Sequence, residues 1–520
     1  MELQPNLINR VAIGDIVRRT AVLNPNKIAL IDGERRLTYR ELDEACNRFA
    51  HHLLSRGLQS GDAVACLCVN SIDHIIAAYG IAKAGMIWAP MNTLLQREPL
   101  DYILEMVEAK LLVLDENFVG AMQRPGRPAP PMLTIQPGAV SPSTAEGTFA
   151  GALQGQPSTD PEVEINDRQA AIIMFTSGTT ARQKGVVINH LAVMLSGMNK
   201  IIDMEMRTDD VTVAMLPFFH CAQHSIVTSF LLRGATQVIM RGFDAETLMD
   251  NIQRHKVSWI FALPAMWRAV LDHPDRVKYD LKSLRYGLYA MTPMDEQTLR
   301  RLHEELCPRF ALGSGQTEVY PSACVFKPEL QFEKKGNYWG TPCMTVEFQI
   351  MDDAGNLLPR GQVGELVVRG PNVMTEYLKD PEATATSRAH GWHHTGDLGL
   401  IDEDGLFLFH DRKKDMIKSG GENVASCVVE AALLGHPGVD AAAVVGLPHA
   451  RWIEAVTAFV VPKAGAKPSE EEVIGWCKVR LGHHEVPKRV VFTAELPMTA
   501  TGKVLKHVIR AEHQGLYTEA

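Results

Sequence analysis

The segment FTSGTTARQK, residues 175–184, sets Thr176, Ser177, Gly178, Thr179 and Thr180 in one run and closes it with Lys184. Hydroxyls and backbone N–H groups gathered in a compact turn, with a point charge in reach, suit the oxygens of a phosphate. The spacing is not that of a P-loop, which places Gly-Lys-Ser/Thr directly before a helix. An apolar run, residues 171–175, precedes the turn and reads as a buried strand. Taken alone, the segment reads either as a phosphate site or as a polar turn joining two strands.

The elements that must position it alternate. Between 63 and 116, strand-like runs (AVACLCVN, KLLVLDE) alternate with helical patterns (IDHIIAAYGIAKAG, EPLDYILEMVE). That is the pattern of a parallel α/β sheet covered by helices. Residues 124–164, rich in Pro, Gly, Ser and Ala, read as a surface excursion. Alternation resumes with AAIIMF, VTVAML, ATQVIM and VSWIFAL, each expected to lead into a helix. Past Gly340, short strands with turn signals (VEFQIMD, GELVVRG, GLFLFHD) indicate a small β-rich subdomain, and past Arg412 a further α/β stretch follows.

A chain of 520 residues exceeds one core and calls for two or more domains. Its composition, 46% apolar and 22% charged, is that of a globular protein in water. A net charge of −9 argues against nucleic acid or an anionic membrane as the main partner. The opening residues hold no apolar core of signal-peptide length. The most hydrophobic window, residues 75–91, is broken by glycine and carries Lys83. It reads as a buried helix and strand, so no transmembrane segment is expected. Nine cysteines, irregularly spaced and without metal-like pairs, fit a reducing, cytoplasmic setting.

Further motifs follow in order: LPFFH (216–220), GQTE (315–318), GELVVRG (364–370), GWHHTGDLG (391–399), DRKKDMIKSGGENV (411–424) and TGK (501–503). LTYRELDEACNRFAHHL lies near the start. With 175–184 these motifs span nearly the whole chain, and the set resembles the adenylate-forming superfamily. That superfamily includes acyl-CoA synthetases, luciferases and peptide-synthetase adenylation domains. The resemblance implies an α/β fold with a large N-terminal domain, 1–411, made of two doubly wound subdomains and the β-rich one. It also implies a small, mobile α+β C-terminal domain, 412–520, with a hinge near Lys414.

The chemistry so implied has two halves: a carboxylate attacks the α-phosphate of ATP, and a thiol then displaces AMP. ATP (or a preformed acyl-AMP), Mg2+ and coenzyme A are the implied cofactors, and a hydrophobic carboxylic acid, a small molecule, is the implied substrate. By resemblance, Glu318 binds magnesium and Thr317 beside it contacts the α-phosphate, while the 176–184 turn holds phosphate oxygens. Asp397 and Arg412 take the ribose hydroxyls, and Lys503 reaches the nascent acyl phosphate. The nucleotide loop falls on Ala290, Met291 and Thr292, and the adenine-stacking position on Ser314. His220 gates the passage between acyl pocket and thiol tunnel, Gly420 and Gly421 line that tunnel, and Trp452 stacks on the adenine of CoA. Each also has an ordinary reading: Glu318 a surface charge, Asp397 a turn residue capping Gly399, Lys503 an exposed lysine, Trp452 a core residue.

Several positions depart from the superfamily pattern. Ala181 and Gln183 replace glycine and proline, and Ala290-Met291-Thr292 replaces Gly-Gly-Ala. Ser314 replaces an aromatic residue, and Ala425, Ser426 and Val428 replace Tyr, Pro and Glu. They fall on nucleotide recognition and leave two readings open. Either adenine is packed differently, with room for a bulky acyl group, or adenylation is feeble and the enzyme works on preformed acyl-AMP. Loading of a carrier protein is a third reading, and a non-catalytic acyl- or nucleotide-binding module a fourth. The segments FFHCAQH, ALPAM, YGLYAM and GSGQ give an apolar acyl lining, so a sizeable hydrophobic acid is expected. Small residues at Gly287, Ala290 and Ser314 lean toward bulk. Oligomeric state is not written in the sequence.

Overall fold

A computed structural model describes residues 9–123, 130–176, 183–290, 294–321, 323–498 and 504–517. The chain divides into two compact units. The first comprises 1–335, 339–348 and 368–393, and the second 336–338, 349–367 and 394–520.

In the first unit, short β-branched and aliphatic runs form two sheets, as buried strands do when helices cover both faces. One sheet runs Arg35–Thr38, Ile28–Asp32, Thr236–Ile239, Val211–Ala214, Trp259–Phe261, Tyr286–Ala290, Phe310–Ser314 and Cys324–Phe326. Among these strands the interior pairs are parallel and the two end pairs antiparallel, and residues 341–342 continue the sheet antiparallel to Cys324–Phe326. The other runs Glu376–Tyr377, Lys184–Asn189, Ala170–Thr176, Ile87–Pro90, Ala63–Leu67, Leu111–Asp115 and Met132–Ile135. It is parallel from Ala170–Thr176 onward. One core takes Leu30 and Ala214 from the first sheet and Val64 and Ile172 from the second, with Ile76 and Leu231 of the intervening helices. Every residue of the helix Ile72–Lys83 is buried, so the 75–91 window is core, and among the described residues no helix is long and apolar enough to cross a membrane.

Two expectations change. The AAIIMF strand does not lead into a helix: it turns back into Lys184–Asn189, with Thr176 opposite Lys184. KGVVIN is a β-branched run, and ladder pairing suits it better than a helix. The 124–164 stretch is more than an excursion, because Met132–Ile135 extends the second sheet and Ile135 and Phe149 are buried.

The second unit holds the antiparallel pair His393–Ile401 and Phe407–Arg412 and a five-stranded sheet. That sheet orders Glu422–Val424, Ile417–Ser419, Ile453–Pro462 and Val439–His449, with Arg489–Phe492 parallel to Ile453–Pro462. Helices Ser426–Leu434 and Glu470–Lys478 pack Leu433 and Val473 against Val456 and Val444. Ser469 and Glu472 form a capping box that starts the second of these helices.

All nine cysteines are free, and eight are buried. Burial pushes the Cys66 thiol up to about 12 and Cys221 up to about 11. Desolvation holds His74 and His190 down to about 4 and His224 to about 3. Asp115 goes the other way: burial raises it to about 7, against one hydrogen bond from Val69 N at 2.7 Å. The unfolded chain takes up protons on these histidines first, so they withdraw stability as pH falls from about 6.5, each by up to about 1.4 kcal/mol per pH unit. Asp115, protonated sooner in the folded chain, adds stability as pH falls from about 7 toward 3.8. The melting temperature is therefore expected to drop between about pH 6.5 and 4, and to drop more steeply in Asp115→Asn. Parallel melting profiles for the two proteins would contradict this assignment.

Candidate active site

Of the residues singled out by sequence, Ser177, Gly178, Thr179, Thr180, Met291, Thr292 and Lys503, with Ala181, lie outside the described residues. Thr176 and Lys184 face one another across the antiparallel pair. The Lys184 ammonium lies 4.8 Å from the centroid of the Tyr377 ring. The Tyr377 hydroxyl donates to Glu318 Oε1 at 2.9 Å. A two-residue strand, Glu376–Tyr377, places this tyrosine by pairing it opposite Val186. Met374 N donates to the Glu318 carbonyl at 2.7 Å, fastening the same segment to the Thr317–Val319 turn. Burial, and after it the Glu318 carboxylate, pushes the Tyr377 hydroxyl far up, so it stays protonated and donates. Tyr377 was missed from sequence, since it sits 59 residues from Glu318 in a strand too short to show a pattern.

The same turn reaches the N-terminus of the helix Cys221–Arg233, where Cys221 Sγ lies 3.3 Å from Thr317 Oγ1. His220 caps this helix by accepting Ala222 N at Nδ1, 3.3 Å away. Its proton therefore resides on Nε2, and desolvation holds the ring down to about 4, neutral near pH 7. Ala290 and Ser314 close adjacent parallel strands at their carboxyl ends, with Ala290 opposite Gly313. Nucleotides bind open α/β sheets at that edge. Gly315 is required by close approach, as a Cβ there would lie 2.8 Å from the Pro321 backbone. Just past Glu318, Tyr320 is in the left-handed region at φ +43°. The Ser196 hydroxyl bonds its carbonyl at 2.5 Å and His224 bonds its hydroxyl, which offsets a strain of roughly 1 kcal/mol.

In the second unit, Asp397 and Arg412 are directly opposed, with Arg412 Nε 3.1 Å from Asp397 Oδ1. The preceding turn is held by Glu365, which accepts from Gly396 N at 3.0 Å and Lys413 Nζ at 3.1 Å. Lys414 is exposed. Gly420 and Trp452 meet: Gly420 N donates to the Trp452 carbonyl at 2.8 Å, and the indole covers the glycine. Gly420 and Gly421 both have positive φ, +63° and +91°. Trp452 is half-buried, with Arg451 at 4.6 Å and Lys488 at 5.0 Å from its ring, so it is not a core residue.

The AMP-binding enzyme family matches residues 17–378, and its C-terminal domain matches residues 428–503. The chain belongs to the AMP-binding enzyme family. A feruloyl-CoA synthase of an Amycolatopsis species is 32% identical over 95% of this chain and 97% of its own length. A methyl-dioxo-octahydroindenyl-propanoyl:CoA ligase of Rhodococcus jostii is 35% identical over 93% and 95%. ATP-bound MatB from Rhodopseudomonas palustris has a TM-score of 0.87 at 26% identity, covering 97% of this chain and 99% of that one. This AMP-binding enzyme is an acid–thiol ligase of the acyl- and aryl-CoA class, working through an acyl adenylate.

One expectation drawn from small residues changes, and one departure from the family pattern has a local cause. The space beside Gly287 is filled by the Phe310 ring, which a Cβ would meet at 2.3 Å, so this glycine makes no room for substrate. Ser426, at the family's proline position, donates both its N–H and its hydroxyl to Asp411 Oδ2, the latter at 2.7 Å. Proline could make neither bond. Lys506 then bonds the Ser426 hydroxyl and Glu430, each at 2.7 Å.

In this AMP-binding enzyme, Gly420→Ala is expected to push the indole aside, because its Cβ would lie 3.0 Å from Trp452 Cε3. Gly421→Ala, with nothing within 4 Å, carries only the backbone strain of about 1–2 kcal/mol. Tryptophan emission, referenced to Trp452→Phe, should shift in the first variant and not in the second.

Proposed function

We propose that this enzyme activates a hydrophobic carboxylic acid with ATP and transfers the acyl group to the thiol of coenzyme A. The observation that carries the reading is the grouping of Lys184, which Thr176 faces, and Glu318 on Tyr377, with Thr317 joined through Cys221 to the helix capped by neutral His220. Glu318 accepts one side-chain hydrogen bond among the described residues, and its other lone pairs suit Mg2+. That ion takes one or two carboxylates and completes its shell with phosphate oxygens and water. When bound, it would offset charge on the departing pyrophosphate.

In the first half-reaction a substrate carboxylate oxygen attacks the α-phosphorus and pyrophosphate leaves. Thr176, Ser177, Gly178, Thr179, Thr180 and Lys184 hold phosphate oxygens, and Thr317 and Lys503 stabilise charge at the α-phosphate and acyl oxygens. Ala290, Met291, Thr292 and Ser314 line the base pocket. Asp397 can accept from both ribose hydroxyls, with Arg412 beside it. Residues 412–520 then pivot near Lys414, which withdraws Lys503 and brings Gly420 and Gly421 to the acyl group. The CoA thiol enters past the His220 gate, its sulfur attacks the acyl carbon as its proton is lost, and AMP leaves. Trp452 offers a stacking face for the CoA adenine, and Arg451 and Lys488 beside the ring suit its phosphates. This platform favours CoA over a carrier-bound thiol. The apolar residues around His220, Leu216 and Phe218 among them, support a hydrophobic acid, as do the bulky acids for which the relatives are named.

Pyrophosphate exchange with a panel of hydrophobic acids should be measurable in the wild type and vanish in Lys503→Ala; exchange absent from both would remove adenylation from the reading. Lys488→Glu should raise the KM for CoA about tenfold, because it sets a negative charge in place of a positive one beside the CoA phosphates, with the KM for ATP unchanged. A CoA KM that stays at the wild-type value would displace the CoA nucleotide from Trp452.

A further inference from the structure

We propose that Tyr377 is a positioning residue that holds Lys184 and Glu318 as one unit, its ring seating the ammonium and its hydroxyl aiming the carboxylate. The inference rests on the ATP-dependent reading above and deepens it. Lysine and glutamate are long, rotamer-rich side chains, and neither is placed by its backbone alone. Both are here tied to one tyrosine: the ammonium 4.8 Å from the ring centroid, the carboxylate 2.9 Å from the hydroxyl. The tyrosine is fixed in turn at the backbone. Its strand pairs with Lys184–Asn189 at Val186 and Val187, and Met374 N holds the Glu318 carbonyl. A buried tyrosine hydroxyl takes some acceptor in any fold. In Tyr377 that acceptor is the one carboxylate of the GQTE turn. The spacing between a phosphate-facing cation and a cation-facing carboxylate is thus set by a residue that need touch neither ligand.

The test uses Mn2+ as a paramagnetic probe with ATP and no acid, so that nothing turns over. Mn2+ binding is followed by electron spin resonance in the wild type, Tyr377→Phe, Tyr377→Leu, Lys184→Met and the Leu/Met double variant. ATP affinity is measured separately in chelator. In Tyr377→Phe, which keeps the ring, Mn2+ affinity should fall about tenfold or more while metal-free ATP affinity stays within about twofold. In Tyr377→Leu both should fall, and adding Lys184→Met should weaken ATP binding no further. A Tyr377→Phe protein with wild-type Mn2+ affinity overturns the role of the hydroxyl, and additive losses in the double variant overturn the role of the ring. A wild type that takes up no Mn2+ with ATP overturns the ATP-dependent reading and this inference with it. Uptake in the wild type with no change in the variants overturns this inference alone. Melting temperatures show that each variant is folded, and Tyr377→Phe decides the matter should Tyr377→Leu fail to fold.

Discussion

A carboxylate that must meet a hard cation and a polyphosphate has to be charged and aimed before either arrives. On the reading proposed above, the bond from the Tyr377 hydroxyl to Glu318 is where this chain meets that demand. A tyrosine donor suits the task because it steadies the carboxylate without neutralising it, as a fixed lysine or arginine would. Much of the local architecture follows from the need to put that hydroxyl in place. The Ala170–Thr176 strand doubles back, Lys184–Asn189 becomes a platform, and Glu376–Tyr377 adds to its outer edge. The left-handed Tyr320, bonded at its carbonyl and its hydroxyl, pins the far side of the same turn.

The parts of the fold legible in the sequence were those where one periodicity ruled. The runs around Ala63–Leu67 and Leu111–Asp115 are almost continuously apolar because both faces of their strands are covered, and the helix Ile72–Lys83 is largely apolar and buried all round for the same reason. Ladder pairing at long range left no such mark. The turn-back at Lys184, the strand Met132–Ile135 and the two residues Glu376–Tyr377 depend on partners elsewhere in the chain. In the site, Gly420 and Trp452 were both named from motifs, and the structure adds that they touch. Glu318, Thr317 and His220 were likewise named singly, while Tyr377 and Cys221, which join them, have no spacing to reveal them.

The small residues and the departures from the family pattern also gain physical content. A glycine at 287 suggests substrate space until the Phe310 ring is found there, packed edge-on against Trp267 with centroids 5.0 Å apart. Ser426 in place of proline gives Asp411 two donors at the start of the helix Ser426–Leu434, and Lys506 extends the network to Glu430. A small residue or a lost proline is thus no guide to a pocket or a hinge until its neighbours are known.

The state of the cysteines bears on fidelity. A ligase of this class generates a mixed anhydride that any thiolate would capture, its own included. With Cys221 beside Thr317 and its thiol kept protonated by burial, as Cys66 is deeper in the sheet, these thiols are poor acceptors. On the reading proposed above, the activated acyl group is thereby left for the sulfur that diffuses in.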